Sequence, residues 1–181
     1  MRACVNVKRG WWLACLLTAC QPAPEAVQVA RLTAMRAQNT VNVQANITFD
    51  LPELPRQALH SGIPLIWQVE LKVAPQTLYE WAALGYLKTR FTLRIDYRAL
   101  TGRYALTRDG RSESFASLAE VLAAAQTITQ ALTIAEASWP RQLAWRMRFD
   151  YEQLPLPLRP FAYFDAQWAL STSWQVCPAP E

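Results

Sequence analysis

An alternation of apolar and polar residues with period two runs through five stretches of this chain. It is the pattern of strands with one buried face and one wet face. From Thr40 to Asp50, Val41, Val43, Ala45, Ile47 and Phe49 alternate with Asn42, Gln44, Asn46 and Thr48. Trp67, Val69, Leu71 and Val73 alternate with Gln68, Glu70 and Lys72, and Phe91, Leu93, Ile95 and Tyr97 with Thr92, Arg94, Asp96 and Arg98. The pattern returns where Leu143, Trp145, Met147, Phe149 and Tyr151 alternate with Arg146, Arg148 and Asp150, and again from Trp168 to Val176. Val27 to Arg36 is a weaker sixth copy.

Turn chemistry joins some of these stretches. Thr101-Gly102 and Asp109-Gly110 are two-residue turn signals. They predict a meander of Phe91 to Leu100, Arg103 to Arg108 and Arg111 to Phe115, with Tyr104 facing Phe115 across the last pair. Ser117-Leu118-Ala119-Glu120 is a capping box, followed by a stripe of Leu118, Val121, Leu122, Ala125 and Ile128 at helical spacing. Glu53 to His60 is a shorter helix candidate, with Pro55 in its first turn and Gly62 as its stop. The alternating prolines of Leu154 to Pro160 predict an extended segment, and residues 76–88 and 129–139 carry no decisive pattern. The fold class expected is mainly β (α+β): an antiparallel β-sandwich or strongly curved sheet of about seven strands with one or two short covering helices.

The amino terminus has a different grammar. Arg2, Lys8 and Arg9 precede the apolar run Gly10 to Leu17, and small residues Thr18 and Ala19 lead to Cys20. This is the layout of a secretory signal, and a run of eight residues is less than half of the roughly 20 that span a bilayer as a helix. Leu17-Thr18-Ala19-Cys20 also resembles the lipobox of bacterial lipoproteins, in which the cysteine thiol receives a diacylglycerol. The alternatives are a plain secretory signal or a short buried helix.

The expected organisation is a lipoprotein signal over 1–19, a proline-containing tether over 20–25, one β-rich domain over 26–177 and a tail over 178–181. Lipidation of Cys20 would anchor the chain stably, at about 0.8 kcal/mol per buried CH₂. Gln21 after the cysteine resembles a sorting signal for the outer rather than the inner membrane, which places the domain at the periplasmic face of a Gram-negative envelope.

This grammar reassigns the charge. The chain carries 18 Lys plus Arg against 14 Asp plus Glu, a formal +4, but three of those cations lie in the expected signal. A remainder near +1, in an exported domain, lacks the electrostatic drive that nucleic-acid binding needs. Cys4 and Cys15 would leave with the signal, so Cys177 would be the lone thiol of an oxidising compartment, with no internal disulfide. It is read as an inert terminal thiol rather than a reactive one.

Enzyme constellations are sparse. His60 is the single histidine, and no glycine-rich phosphate loop is present. The adjacent His60 and Ser61 are read as a helix end, with the histidine near the last carbonyls, rather than as a base and nucleophile. No catalytic, cofactor-binding or metal-binding residue is assigned, and the chain is expected not to be an enzyme.

Two surfaces are candidates. Arg94, Arg98, Arg146 and Arg148 stand on polar strand faces; they form either a cross-strand ion ladder with Asp96 and Asp150 or a cationic shelf for a carboxylate, phosphate or headgroup. Tyr79, Trp81 and Tyr86 are a candidate apolar partner patch. Trp67, Trp145, Trp168 and Trp174 fall in register with apolar strand faces and are expected in the core.

Several landmarks resemble one bacterial family. They are Ala58-Leu59-His60-Ser61-Gly62-Ile63-Pro64-Leu65, Tyr97 to Tyr104, Ser114 to Leu118, Gln153 to Pro157 and the closing Asp165 to Trp174. In this order they are similar to the exported domain-of-unknown-function family numbered 4390. The resemblance implies an envelope location and members often encoded near a two-component sensor kinase of the nitrogen-regulation type. It implies no activity and no catalytic residue, and many members look like simple secreted or membrane-tethered proteins without a lipobox.

The function expected is that of a non-enzymatic envelope lipoprotein, an accessory or assembly protein that meets an unknown envelope partner. The second reading is a periplasmic ligand-binding module that presents an anionic small molecule or headgroup to a signalling or transport partner.

Overall fold

The computed structural model describes residues 26–79, 82, 87–134 and 139–180. Two antiparallel sheets pack as a sandwich. One has three strands in the order β1-β2-β7, and the other has six in the order β6-β5-β4-β3-β8-β9. The strands are β1 (Val27–Ala37), β2 (Thr40–Phe49), β3 (Leu65–Val73), β4 (Lys88–Arg98), β5 (Arg103–Arg108), β6 (Arg111–Phe115), β7 (Thr127–Thr133), β8 (Gln142–Phe149) and β9 (Gln175–Pro178). Helices α1 (Glu53–His60), α2 (Leu118–Ala125) and α3 (Arg159–Phe164) are added at the ends and edges.

The period-two residues are the two inner faces. Val41, Val43 and Ala45 of β2 are fully buried, as are Trp67, Val69 and Leu71 of β3, Leu93 and Ile95 of β4, and Leu143, Trp145 and Met147 of β8. Trp67 meets Phe49 and Phe149 edge-on at 5.7 and 5.5 Å between centroids, so aromatic rings from both sheets interlock at the centre.

Asp109-Gly110 makes the two-residue turn its sequence predicts, with φ of 45° and 79° at the two positions, and Tyr104 pairs with Phe115. Ser117 caps α2 by accepting from the Glu120 amide at 3.2 Å. The Glu120 carboxylate reaches back to the amide of Ala116, one residue further than in the usual capping box.

Other expectations are corrected. Among the described residues nine strands form where about seven were expected, because β1 is complete and residues 127–133 add β7. The α2 stripe stops at Ala125; Ile128 belongs to β7, where the β-branched alternation of Thr127, Ile128 and Thr129 favours a strand. The β4–β5 connection is a four-residue loop, Ala99 to Gly102, closed by the Thr101 amide on the carbonyl of Arg98. The β1–β2 turn at Gln38-Asn39, with Gln38 at φ 54°, has no glycine to announce it. Leu154 to Pro160 is not extended throughout: residues 156–158 turn and Pro160 sits in the first turn of α3, where its missing N–H costs nothing.

The expected strand from Trp168 to Val176 is reduced to β9. Trp168 ends a 3₁₀ turn, Ala166–Trp168, and the following residues run beside β8 on hydroxyl bonds. Ser171 Oγ accepts from the Phe149 amide at 2.9 Å, and Thr172 Oγ1 from the Met147 amide at 3.0 Å. Side chains thus occupy the ladder sites that a strand's carbonyls would fill.

Candidate functional site

The site is built on the outer face of the six-stranded sheet. Register brings Arg90 of β4, Glu70 of β3 and Arg146 of β8 into one row across three strands. Lys88 and Lys72 occupy the next row. Trp174 completes the surface. In β9, Gln175 and Cys177 pair with the inward-facing Trp145 and Leu143, which turns Trp174 and Val176 outward. The core position expected for Trp174 is therefore corrected: it is half-buried on the outer face, whereas Trp67, Trp145 and Trp168 lie in the core.

Together these residues line an open groove of about 490 Å³. Four cationic side chains and one carboxylate face it. Glu70 is buried and bracketed, with Arg90 on Oε1 and Arg146 on Oε2. Burial pushes its pKa up, but the hydrogen bond and charge of Arg146 and the charge of Arg90 outweigh it and hold the carboxyl below the usual range.

Lys72 Nζ and Arg146 Cζ sit 4.0 and 4.3 Å from the centroid of the Trp174 ring. The Nε of Arg146 is buried with no hydrogen-bond partner. Among the described residues no carboxylate pairs with Lys72 or Lys88. The groove therefore presents positive charge in excess of its single acid, above an aromatic surface, and is suited to an anionic group with a flat or apolar portion.

The four arginines singled out in the sequence do not form one shelf. Arg146 is in the groove, and Arg148 stands two residues along β8 beside Gln68. Arg94 is four residues beyond Arg90, about 13 Å along the strand, and its guanidinium is held by Asp96 at 2.7–2.9 Å. Arg98 lies further still, paired in register with Arg103. The Arg94–Asp96 pair lies within one strand and is not a cross-strand ladder; the ion pairs that cross strands are those of Glu70 with Arg90 and Arg146. Lys72, Lys88, Arg90 and Trp174 form the rest of the groove; alternation showed which way the strand residues face, but only the pairing register shows that they meet.

The ring nitrogens of His60 meet the Tyr104 hydroxyl rather than the last carbonyls of α1. Its ring packs edge-on against Tyr97 and Tyr104, within hydrogen-bond reach of the Tyr104 hydroxyl, while Ser61 Oγ donates to the carbonyl of Gln57 at 2.9 Å. The His60 and Ser61 polar atoms therefore engage different partners. Cys177 is buried against β8, which pushes its thiol pKa up. Of the apolar patch, Tyr79 is 82% exposed; Trp81 and Tyr86, like Cys20, lie outside the described residues.

A second apolar surface surrounds α3, where Leu156, Phe161 and Phe164 are 73, 71 and 92% exposed. The helix is held by Glu152, which accepts from Tyr163 at 2.9 Å and from Arg159 at 3.0 Å, and by Tyr163 stacked on Tyr151. This surface lies at the end of the molecule where the domain begins. The carbonyl of Ala26 accepts from Asp50 just before α1, the Leu54 amide donates to Gln167, and the 3₁₀ turn containing Gln167 packs between α1 and α3.

The family model for a domain of unknown function, DUF4390, matches residues 25–178, which include every described strand and helix. The chain belongs to the DUF4390 family. No curated protein and no solved structure matches it. The groove and the α3 surface both lie within the DUF4390 match. Among the described residues of this DUF4390 domain no helix is long and apolar enough to cross a membrane.

Proposed function

We propose that this DUF4390 chain is a non-enzymatic envelope protein, exported by residues 1–19 and anchored through a lipid on Cys20. The groove over Trp174 holds an anionic group of an envelope partner. The observation that carries the reading is the charge count there: Lys72, Lys88, Arg90 and Arg146 face a single, already bracketed carboxylate. The α3 surface supports a membrane-facing orientation. A tether of six residues from Cys20 to Glu25 reaches about 19 Å at 3.1 Å per residue, and it enters the domain at the end that exposes Phe161 and Phe164. Rings and apolar side chains at that end suit the headgroup boundary.

The partner to test first is the extracytoplasmic part of a two-component sensor kinase, which the family resemblance suggests. A photo-crosslinking residue placed at Val176, which is exposed and pairs with Ala144 in the row of Lys72 and Lys88, should capture a specific envelope protein in cells from the full-length protein, and adding Lys72→Glu with Lys88→Glu should abolish capture while the protein level holds. Capture unaffected by the double reversal would overturn the groove reading. The second reading, an anionic small molecule or headgroup, rests on the same charge excess. It would be favoured if the reversal instead removed binding to phosphatidylglycerol vesicles or inorganic phosphate. Radiolabelled palmitate that enters the wild type but not Cys20→Ser would establish the anchor.

A further inference from the structure

The small sheet has an unblunted edge. β7 hydrogen-bonds to β2 on one side, and among the described residues no strand pairs with its other side. That side faces a second open edge: β5 pairs with β4 from Leu93 to Arg98, so among the described residues nothing continues the ladder along residues 88–91. Between the two edges lies a groove of about 580 Å³, lined by Arg90 and Phe91 from β4 and by residues 127–131 of β7.

The phase of the backbone can be read from neighbouring bonds. The Ile47 amide donates to the Gln126 carbonyl and the Ile134 amide to that of Asn39. In an antiparallel ladder bonded and non-bonded pairs alternate, so Ile128, Gln130 and Leu132 bond to β2. The amides and carbonyls of Thr127, Thr129 and Ala131 therefore point to the groove. On the opposite wall the Thr92 carbonyl accepts from Asp109, which aims the peptide groups of Arg90 the same way.

Two observations set this edge apart. Exposed edges are ordinarily protected by charge, proline or shortness. The outer strands β6 and β1 carry Arg111, Glu113, Arg31 and Arg36, and the four-residue β9 carries Pro178, but Thr127–Thr133 has neither a charge nor a proline. Moreover, Gln130 points inward with Ile128 and Leu132, is 5% exposed, and neither its Nε2 nor its Oε1 has a partner. A buried carboxamide with both ends unmet is a site awaiting a donor and an acceptor.

We infer that this groove accepts an extended peptide segment of another protein, which adds as a strand to the open edge of β7. Main-chain bonds to Thr127, Thr129 and Ala131 supply affinity, and alternate side chains enter the groove. Those flanking Gln130 are apolar, against Phe91 and Ile128, and the one opposite Gln130 is an amide or hydroxyl that meets its carboxamide.

The test uses a random dodecapeptide library displayed on phage, panned against the purified protein, with a selected peptide then synthesised. Selected sequences should alternate apolar and polar residues. Methylating every second backbone nitrogen of the peptide should weaken binding at least tenfold in one phase and little in the other. In the free protein the amides of Thr129 and Ala131 should exchange with deuterium at least tenfold faster than those of Gln130 and Leu132, and the bound peptide should slow them. Thr129→Pro deletes a groove-facing donor without touching the β2 ladder and should cost at least tenfold in affinity; Gln130→Leu should shift selection toward wholly apolar peptides. Binding indifferent to N-methylation in both phases, or protection of Thr129 in the free monomer, would overturn the inference. So would a peptide-free dimer that Thr129→Pro dissociates, since the occupant would then be a second copy of the chain. The methylation and exchange measurements use the unaltered protein, so they decide the question even if Thr129→Pro fails to fold.

Discussion

The indole N–H of Trp67 donates to the carbonyl oxygen of Leu170 at 2.8 Å, tying the centre of β3 to the segment that follows the last 3₁₀ turn. Trp145, equally buried one strand away, has an indole N–H with no partner. Replacing each by Phe removes similar volume but opposite polar accounts. Trp67→Phe leaves a buried carbonyl unmet, at about 1–3 kcal/mol, whereas Trp145→Phe removes an unmet donor. Trp67→Phe should therefore be the more destabilising by about 1–2 kcal/mol, read as the difference in urea midpoint at unchanged m-value.

Acid should weaken the row beneath the groove. Because Arg146 and Arg90 hold Glu70 below its unfolded pKa, its contribution is present above the unfolded value of roughly 4.3 and is lost as pH falls through the folded value. Glu70→Gln should lower stability at pH 7 by about 1.5–3 kcal/mol, the range for hydrogen bonds to charged groups. It should also flatten the stability–pH curve below about pH 4.3. Equal slopes for variant and wild type across that range would show that Glu70 is not the group responsible.

Cys177 reports on opening of the β8–β9 edge. With its thiol buried and its pKa raised, the thiolate that alkylates is both scarce and covered. Iodoacetamide labelling of the Cys177 peptide at pH 8, followed by mass spectrometry, should be slow in the folded protein and rise in parallel with urea unfolding. Rapid labelling under native conditions would mean that β9 frays independently.

The α3 surface should matter for membranes and little for stability. Phe161→Glu with Phe164→Glu should leave the unfolding midpoint within about 0.5 kcal/mol of wild type, as expected for exposed positions. Flotation of the lipid-free domain with phosphatidylglycerol vesicles should fall at least fivefold. Unchanged flotation would remove the membrane-facing role assigned to these rings.

Side-chain period and turn residues made much of this fold legible. Strands β2, β3, β4 and β8 follow from alternation alone, and the β5–β6 hairpin from Asp109-Gly110, because both signals are local. Legibility failed where a long-range partner decides the outcome. The alternation of Trp168 to Val176 suggests one continuous strand, but the hydroxyls of Ser171 and Thr172 take over part of the pairing with β8, and Trp174 emerges on the opposite face from the one expected. The alternating prolines of Leu154 to Pro160 suggest an extended run, but Pro160 lies in the first turn of α3, where proline starts a helix rather than breaking it. The groove is half visible: the alternation of β8 sets Arg146 on the polar face, but Lys72, Lys88 and Arg90 meet it only through the register of three strands, which no single strand's sequence specifies.

The small sheet joins a hairpin near the start of the domain to a strand far along it, pairing Thr40 with Thr133. During vectorial delivery of the chain, β1 and β2 arrive long before β7, and the second edge of β2 stays open while some eighty residues follow. Non-local pairing of this kind slows folding. A helper that shields that edge during the delay would act on the chain's history rather than on its finished surface, and truncations ending before Thr127 should be its best substrates.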